Sequence, residues 1–206
     1  MAVKIHTVVV GPVQTNCYLV TNEENLEAIC FDPGDRAGAI IEKVLKEGLK
    51  LVGVMLTHGH FDHILAAKQV SEYFKVKIYA NEHEKSLLLS PELNMTTHFI
   101  GEAVSLQADE WLTDQEELVL AGLKVRAIAT PGHTGGGMCY YFPEEELLIS
   151  GDTLFCGSTG RTDFPTGDYR ALVSSIKQKL FVLPDQTKVL PGHDCDTTIG
   201  NEKEEF

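Results

Sequence analysis

A four-layer α/β fold, with two sheets packed face to face and helices outside them (an αββα sandwich), is what this 206-residue sequence predicts. Three features carry that expectation. Short β-type runs fall into two groups, and each group is accompanied by a stretch with helical periodicity. The run Cys17-Tyr18-Leu19-Val20, an acidic turn and residues 28–34 are echoed by Cys139-Tyr140-Tyr141-Phe142, an acidic turn and residues 147–152, so both halves contain a similar hairpin. Residues 51–56 are apolar without alternation, as expected of a strand covered on both faces, and they run straight into a dense polar cluster.

In chain order, residues 3–11, 16–21 and 26–32 read as strands separated by Gly11-Pro12 and the polar turn Asn22-Glu23-Glu24-Asn25. Ala37, Ile40, Ile41, Val44 and Leu45 recur at helical spacing, and Gly48 marks the stop. The strand at 51–56 is followed by a helix over 64–74 and a strand over 76–80. Residues 81–114 show only one clear element, a helix over 84–89 ended by Pro91. Strands return at 118–120, 124–129, 138–142 and 147–149. The spacing of Tyr169, Leu172, Val173, Ile176 and Leu180 predicts an amphipathic helix, and 188–190 a last strand. Alternation along 138–142 places one of Tyr140 and Tyr141 in the core and the other nearer solvent, and the acidic tail from Glu202 to Glu205 reads as a solvated end.

No change of composition marks a linker, so residues 1–206 are expected to form a single domain. A net charge of -13 argues against a nucleic acid or an anionic membrane surface as partner, since both need basic patches. No apolar run reaches the roughly 18 residues of a spanning helix, and the start has no signal-peptide pattern. Five cysteines, Cys17, Cys30, Cys139, Cys156 and Cys195, form an odd set without CxxC spacing, which suits free thiols in a reducing compartment. The expected location is the cytoplasm, and Cys195 reads as a small core residue.

The chemistry concentrates in Thr57-His58-Gly59-His60-Phe61-Asp62-His63, where three imidazoles and a carboxylate lie within six residues. Across a strand-to-helix turn, His58 and His60 point one way by the two-residue period while Asp62 and His63 leave the turn in another, which builds two adjacent metal sites. Further candidates stand where apolar strands give way to glycine-rich loops: His133 in Pro131-Gly132-His133-Thr134, Asp152 in Gly151-Asp152-Thr153, and His193 in Pro191-Gly192-His193. Imidazole and carboxylate ligands suit zinc, and also iron or manganese.

These four segments, taken as Thr57 to His63, Thr130-Pro131-Gly132-His133-Thr134, Ser150-Gly151-Asp152-Thr153-Leu154-Phe155 and Leu190-Pro191-Gly192-His193, resemble the metallo-β-lactamase-fold hydrolases, most closely their glyoxalase II-like (hydroxyacylglutathione hydrolase-like) branch, over nearly the whole length. The resemblance implies that His58, His60 and His133 hold one metal and Asp62, His63 and His193 the other, with Asp152 bridging them. Asp62 and Asp152 are then the catalytic carboxylates, and two zinc ions per chain the implied cofactor. Ions roughly 3.5–4 Å apart can share a water whose pKa falls toward neutrality, giving a hydroxide that attacks an acyl carbonyl. The implied reaction is hydrolysis of a small acyl thioester, with S-(2-hydroxyacyl)glutathione the best single case.

Glyoxalase II enzymes carry a further C-terminal helical domain, whereas thirteen residues follow His193 here, and Asp194-Cys195-Asp196 stands where an aromatic residue is common. The run Gly157-Ser158-Thr159-Gly160-Arg161-Thr162-Asp163-Phe164 resembles the loop of short, single-domain members. Arg161 reads first as a structural partner of Asp163 or Asp168 and only second as a contact for a substrate carboxylate. Competing readings are a mononuclear iron persulfide dioxygenase of the same fold, a hydrolase of lactones or other esters, and a metal-dependent binding or regulatory module without turnover.

Overall fold

In a computed structural model that describes residues 3–205, the first half lays down β1 (Val3–Val10), β2 (Thr15–Asn22), β3 (Glu27–Phe31), helix α1 (Ala37–Lys46) and β4 (Lys50–Met55). Helices α2 (Phe61–Ile64) and α3 (Ala67–Phe74), strand β5 (Ile78–Asn81), helices α4 (Lys85–Leu89) and α5 (Thr96–Phe99) and strand β6 (Glu110–Leu112) follow. The second half contains β7 (Glu117–Leu120), β8 (Leu123–Ala129), β9 (Met138–Phe142), β10 (Leu147–Gly151), the small hairpin β11 (Leu154–Phe155) and β12 (Ser158–Thr159), helix α6 (Tyr169–Ser175), β13 (Lys188–Pro191), β14 (Thr197–Thr198) and helix α7 (Ile199–Glu205).

Two six-stranded sheets result, ordered β1-β2-β3-β4-β5-β6 and β14-β13-β10-β9-β8-β7. Three buried clusters show the layering. Tyr18, Ile29, Phe31 and Met55 of the first sheet meet Val125, Tyr140, Phe142 and Ile149 of the second in the middle. Leu19, Cys30 and Val54 pack outward against Ile40 and Val44 of α1 and Val70 of α3. Cys139, Leu148 and Val189 pack outward against Leu172 of α6 and Ile176. Each sheet is thus covered on both faces, and the expected αββα order is what forms. No described helix is long and apolar enough to cross a membrane.

Double coverage explains why β2 is buried at all eight positions although its sequence mixes polar and apolar residues, and why Tyr140 and Tyr141 are both buried, at 0% and 5% exposure. The expectation of one solvent-facing tyrosine fails because Tyr141 faces α6 rather than water, with the Arg126 guanidinium 5.2 Å from its ring centre. Helix α1 buries Ala37, Ile40 and Val44, a three- and four-residue stripe, and carries Lys43 and Lys46 in its last turn, where cations favour the helix dipole. The Asp168 side chain starts α6 by accepting the N–H groups of Arg170 and Ala171, and a π-helical turn over Ile176–Leu180 continues it.

Other departures have tertiary causes. The helix expected over 64–74 breaks at Leu65 and Ala66, where the Ala66 N–H donates to Pro33 O at 2.9 Å. The acidic tail is α7, and Glu202 within it is buried, accepting the Gly157 N–H at 3.0 Å and the Thr197 hydroxyl at 2.6 Å. All five cysteines are free, but Cys195 is exposed with Cys156, contrary to a core placement, because it lies in the loop after β13.

Candidate metal centre

Strand direction assembles the centre. In the second sheet β9 runs antiparallel to β8 and β10, and β10 is parallel to β13, so the C-terminal ends of β8, β10 and β13 share one rim. His133 follows β8, Asp152 follows β10, and His193 follows β13. In the first sheet β3 and β4 are parallel, which puts Asp32 beside the His58–His63 turn at their common end. Close backbone approach is built in: a Cβ on Gly34 would lie 1.5 Å from Asp62 O, and one on Gly192 would lie 2.2 Å from Asp152 Oδ1.

All seven residues nominated from the sequence come together. Ligand atoms of His58, His60 and His133 lie within 4.8 Å of one another, as do those of Asp62, His63 and His193, and those of His58, His63 and Asp152. Asp152 stands between the halves: its Oδ1 is 3.4 Å from His63 Nε2, and its Oδ2 is 3.6 Å from both His133 Nε2 and His193 Nε2. Asp62 Oδ2 is 3.2 Å from His193 Nε2 and 3.4 Å from His63 Nε2. Across the first half, His60 Nδ1 faces His133 Nε2 at 2.9 Å.

Hydrogen bonds decide which ring nitrogens keep a lone pair. His63 Nδ1 bonds Asp32 Oδ2 at 2.9 Å, His133 Nδ1 bonds Arg161 O at 2.7 Å, and His193 Nδ1 bonds Val13 O at 3.2 Å. These oxygens only accept, so each Nδ1 carries a hydrogen and Nε2 is the ring nitrogen turned inward, the one a metal can take once it is free of a proton. Thr57 Oγ1 spends its one hydrogen on Asp32 Oδ2 at 2.6 Å, so it accepts from His58 Nδ1 at 3.1 Å and leaves Nε2 the inward nitrogen of His58 as well. His58 Nε2, His63 Nε2 and Asp152 Oδ1 are buried without any hydrogen-bond partner. Buried polar atoms are rarely left so, and inward-facing imidazole nitrogens beside carboxylate oxygens fit a divalent metal centre.

Electrostatics differ between the halves. Burial, reinforced by neighbouring imidazoles, pushes His58 well below the ordinary histidine value and His60 down to about 3, so both stay neutral. Burial opposes charge on His63, but Asp62, Asp152 and Asp32 around it win and hold its pKa well above the usual value. His193 is raised too, its burial outweighed by the hydrogen bond to Asp62 and by Asp152. Burial would raise Asp62, yet the His63 and His193 imidazoles beside it hold it well below the carboxylate range.

Sequence reasoning missed the supports. Asp32 accepts the Thr57 N–H at 2.7 Å besides its bonds to Thr57 Oγ1 and His63. Its signal was available, since residues 28–34 echo the segment that ends at Asp152. Thr15 donates its hydroxyl to Asp62 Oδ2 at 2.9 Å. Buried Glu84 accepts the N–H of Gly59, between His58 and His60, at 2.9 Å, and its other oxygen faces the loop after His133, where a Cβ on Gly136 would lie 2.4 Å away.

His60, Asp62, His133, Asp152 and His193 line an open cleft of about 490 Å³ whose walls include Val13, Phe99, Phe155, Arg161 and Phe164, while His58 and His63 are buried. Arg161 is held bidentately by Asp163 at 2.7 and 2.6 Å and lies 3.9 Å from the Phe164 ring centre; Asp168, its other candidate partner, caps α6 instead.

Residues 10–193 match the family model described as the metallo-beta-lactamase superfamily. The chain is similar to the hydroxyacylglutathione hydrolase GloC of Haemophilus influenzae, 37% identical over 201 residues that cover 97% of this chain and 94% of that one. Among solved structures it is similar to BLEG-1 B3 metallo-beta-lactamase, with 38% identity, a TM-score of 0.93 and coverage of 98% of this chain and 97% of that chain. It is also similar to TTHA1623 in a di-iron-bound form, with 33% identity, a TM-score of 0.86 and coverage of 97% and 98%.

Proposed function

The chain belongs to the metallo-β-lactamase superfamily, and on that premise we propose that it is a binuclear, metal-dependent hydrolase of a small acyl thioester, with S-(2-hydroxyacyl)glutathione the leading substrate. The observation that carries the reading is the shared carboxylate: Asp152 faces both a three-histidine set and an Asp-His-His set at the floor of one open cleft. The GloC relative supports the choice of substrate.

In this reading His58, His60 and His133 would hold one ion and Asp62, His63 and His193 the other, with Asp152 facing both sets. Zinc suits the donors, with iron or manganese as alternatives. A bound pair of such ions supplies Lewis acidity toward a carbonyl oxygen and lowers the pKa of water. The chain's own residues arrange the rest. Asp32, Arg161 O and Val13 O fix the rings of His63, His133 and His193 with Nε2 inward. Asp62, kept ionised and held by Thr15, borders with Asp152 the place of the reacting carbonyl. Phe99, Phe155 and Phe164 give the acyl group an apolar wall, and a substrate carboxylate would have to draw Arg161 away from Asp163.

The whole chain acts as one domain, its partner is a small molecule rather than nucleic acid or membrane, and it works in the cytoplasm. The charge of -13 and five free cysteines support this. Elemental analysis of the purified protein with a panel of thioesters, lactones and β-lactams is the test. Two metals per chain and thioester hydrolysis abolished by chelator are expected. A metal-replete protein inert toward thioesters overturns the reading, and a single iron with oxygen consumption on glutathione persulfide replaces it with the dioxygenase.

A further inference from the structure

The sequence echo between residues 17–20 and 139–142 has a counterpart in three dimensions. In the first half the hairpin β2-β3 is followed by β4, parallel to β3; in the second, the hairpin β9-β10 is followed by β13, parallel to β10. The halves then grip one another reciprocally. Tyr140 of β9 donates its hydroxyl to Leu56 O at 2.7 Å, and Tyr18 of β2 donates its hydroxyl to Pro191 O at 2.7 Å. Two residues before each tyrosine a backbone N–H makes the same crossing, Met138 to Thr57 O at 2.8 Å and Asn16 to Gly192 O at 2.7 Å. Leu56 stands two residues before His58, and Pro191 two residues before His193.

Each phenol therefore crosses the middle layer from one sheet and holds the strand end that launches a metal-facing loop of the other. Both rings are buried, and burial pushes both phenol pKa values up, so both remain donors. The symmetry breaks one residue further on. Thr57 fills its position and bonds Asp32, which becomes a support; Gly192 has no side chain to clash with Asp152, which is left facing the centre.

We propose that Tyr140 and Tyr18 are reciprocal positioning residues: Tyr140 acts through His58, two residues past the carbonyl it holds, on the metal affinity of the His58–His60–His133 half, and Tyr18 acts through His193 on that of the Asp62–His63–His193 half. Asp62 and His63, farther along the same turn as His58, are tied separately by Thr15 and Asp32. The inference rests on the binuclear reading above. Phenylalanine removes only the hydroxyl and keeps the ring in the core, so Y140F and Y18F isolate the bond. Zinc affinity is read by competition with a chromophoric chelator in two backgrounds: H193A, which leaves the three-histidine half whole, and H60A, which leaves the other half whole.

In H193A, Y140F should weaken the remaining ion roughly 5- to 10-fold, as loss of a buried hydrogen bond implies, and Y18F should leave it unchanged. In H60A the pattern should reverse. The Y18F effect should be smaller, roughly 2- to 5-fold, because Pro191 O also accepts Asn16 Nδ2 at 3.1 Å. Equal weakening of both halves by either variant, or of neither, overturns the proposal. If the unsubstituted protein binds a single zinc, the binuclear reading fails on that stoichiometry. The tyrosine assignment then stands if Y140F and Y18F weaken that ion unequally and falls if they act alike.

Discussion

His63 is the most constrained side chain in the centre, because three carboxylates surround a fully buried ring and one of them, Asp32, fixes its tautomer. An asparagine at 32 offers one acceptor oxygen where Asp32 serves Thr57 and His63 with two. D32N should therefore weaken metal binding on the order of 10- to 100-fold, the usual cost of losing an outer partner of a ligating histidine, as read by chelator competition. The titration directions add a second expectation. His58 and His60 are pushed down, so protons do not compete for them until strongly acid pH; His63 and His193 are pushed up, so they take protons first as pH falls. If two ions are bound as proposed, acidification from pH 7 to 5 should eject that of the Asp62–His63–His193 half first, seen as a fall from two metals to one per chain after desalting at each pH.

Among the elements, α7 shows how a local pattern misleads. Four charged residues in the last five read as a solvated end, yet Glu202 turns inward and ties the β11-β12 hairpin, through Gly157, to β14, through Thr197. Phe155 of that hairpin lies on the cleft wall, its ring centre 6.2 Å from that of His193. E202A leaves the buried Thr197 hydroxyl and the part-buried Gly157 N–H without their acceptor and should cost about 1–3 kcal/mol in a denaturant unfolding curve. The break between α2 and α3 has the same character: the Ala66 amide is diverted to Pro33 O, a bond that no helical periodicity reveals.

Across the molecule, stability and the centre share the middle layer, where Phe31 contacts the rings of Tyr140 and Phe142 at 5.4 and 6.0 Å between centres. F31A should cost about 3–5 kcal/mol, the usual range for emptying a buried aromatic site, measured by chemical unfolding of the metal-free protein. Because Phe31 precedes Asp32 and packs against Tyr140, the same variant should also lower metal affinity, whereas the smaller cavity of L180A in the outer layer should lower stability alone.

The seven clustered histidines and aspartates and the strand runs were legible in the chain because each is a local pattern (imidazoles at two-residue spacing, glycine beside a polar residue at a strand end, apolar runs without alternation), and the sandwich order because the two halves echo each other. Asp32, Thr15 and Glu84 were not, because each acquires its role from a partner 25 to 47 residues away. Residues 81–114 were poorly legible for a related reason: β6 pairs with β5, and buried Asn94 holds its loop through Leu88 O and Val104 O, bonds that only a folded chain makes. The membership of the cluster is written in residue type and spacing, which the sequence carries alone. Ring orientation and proton placement are set by contacts across two sheets, and those exist only once the sheets have packed.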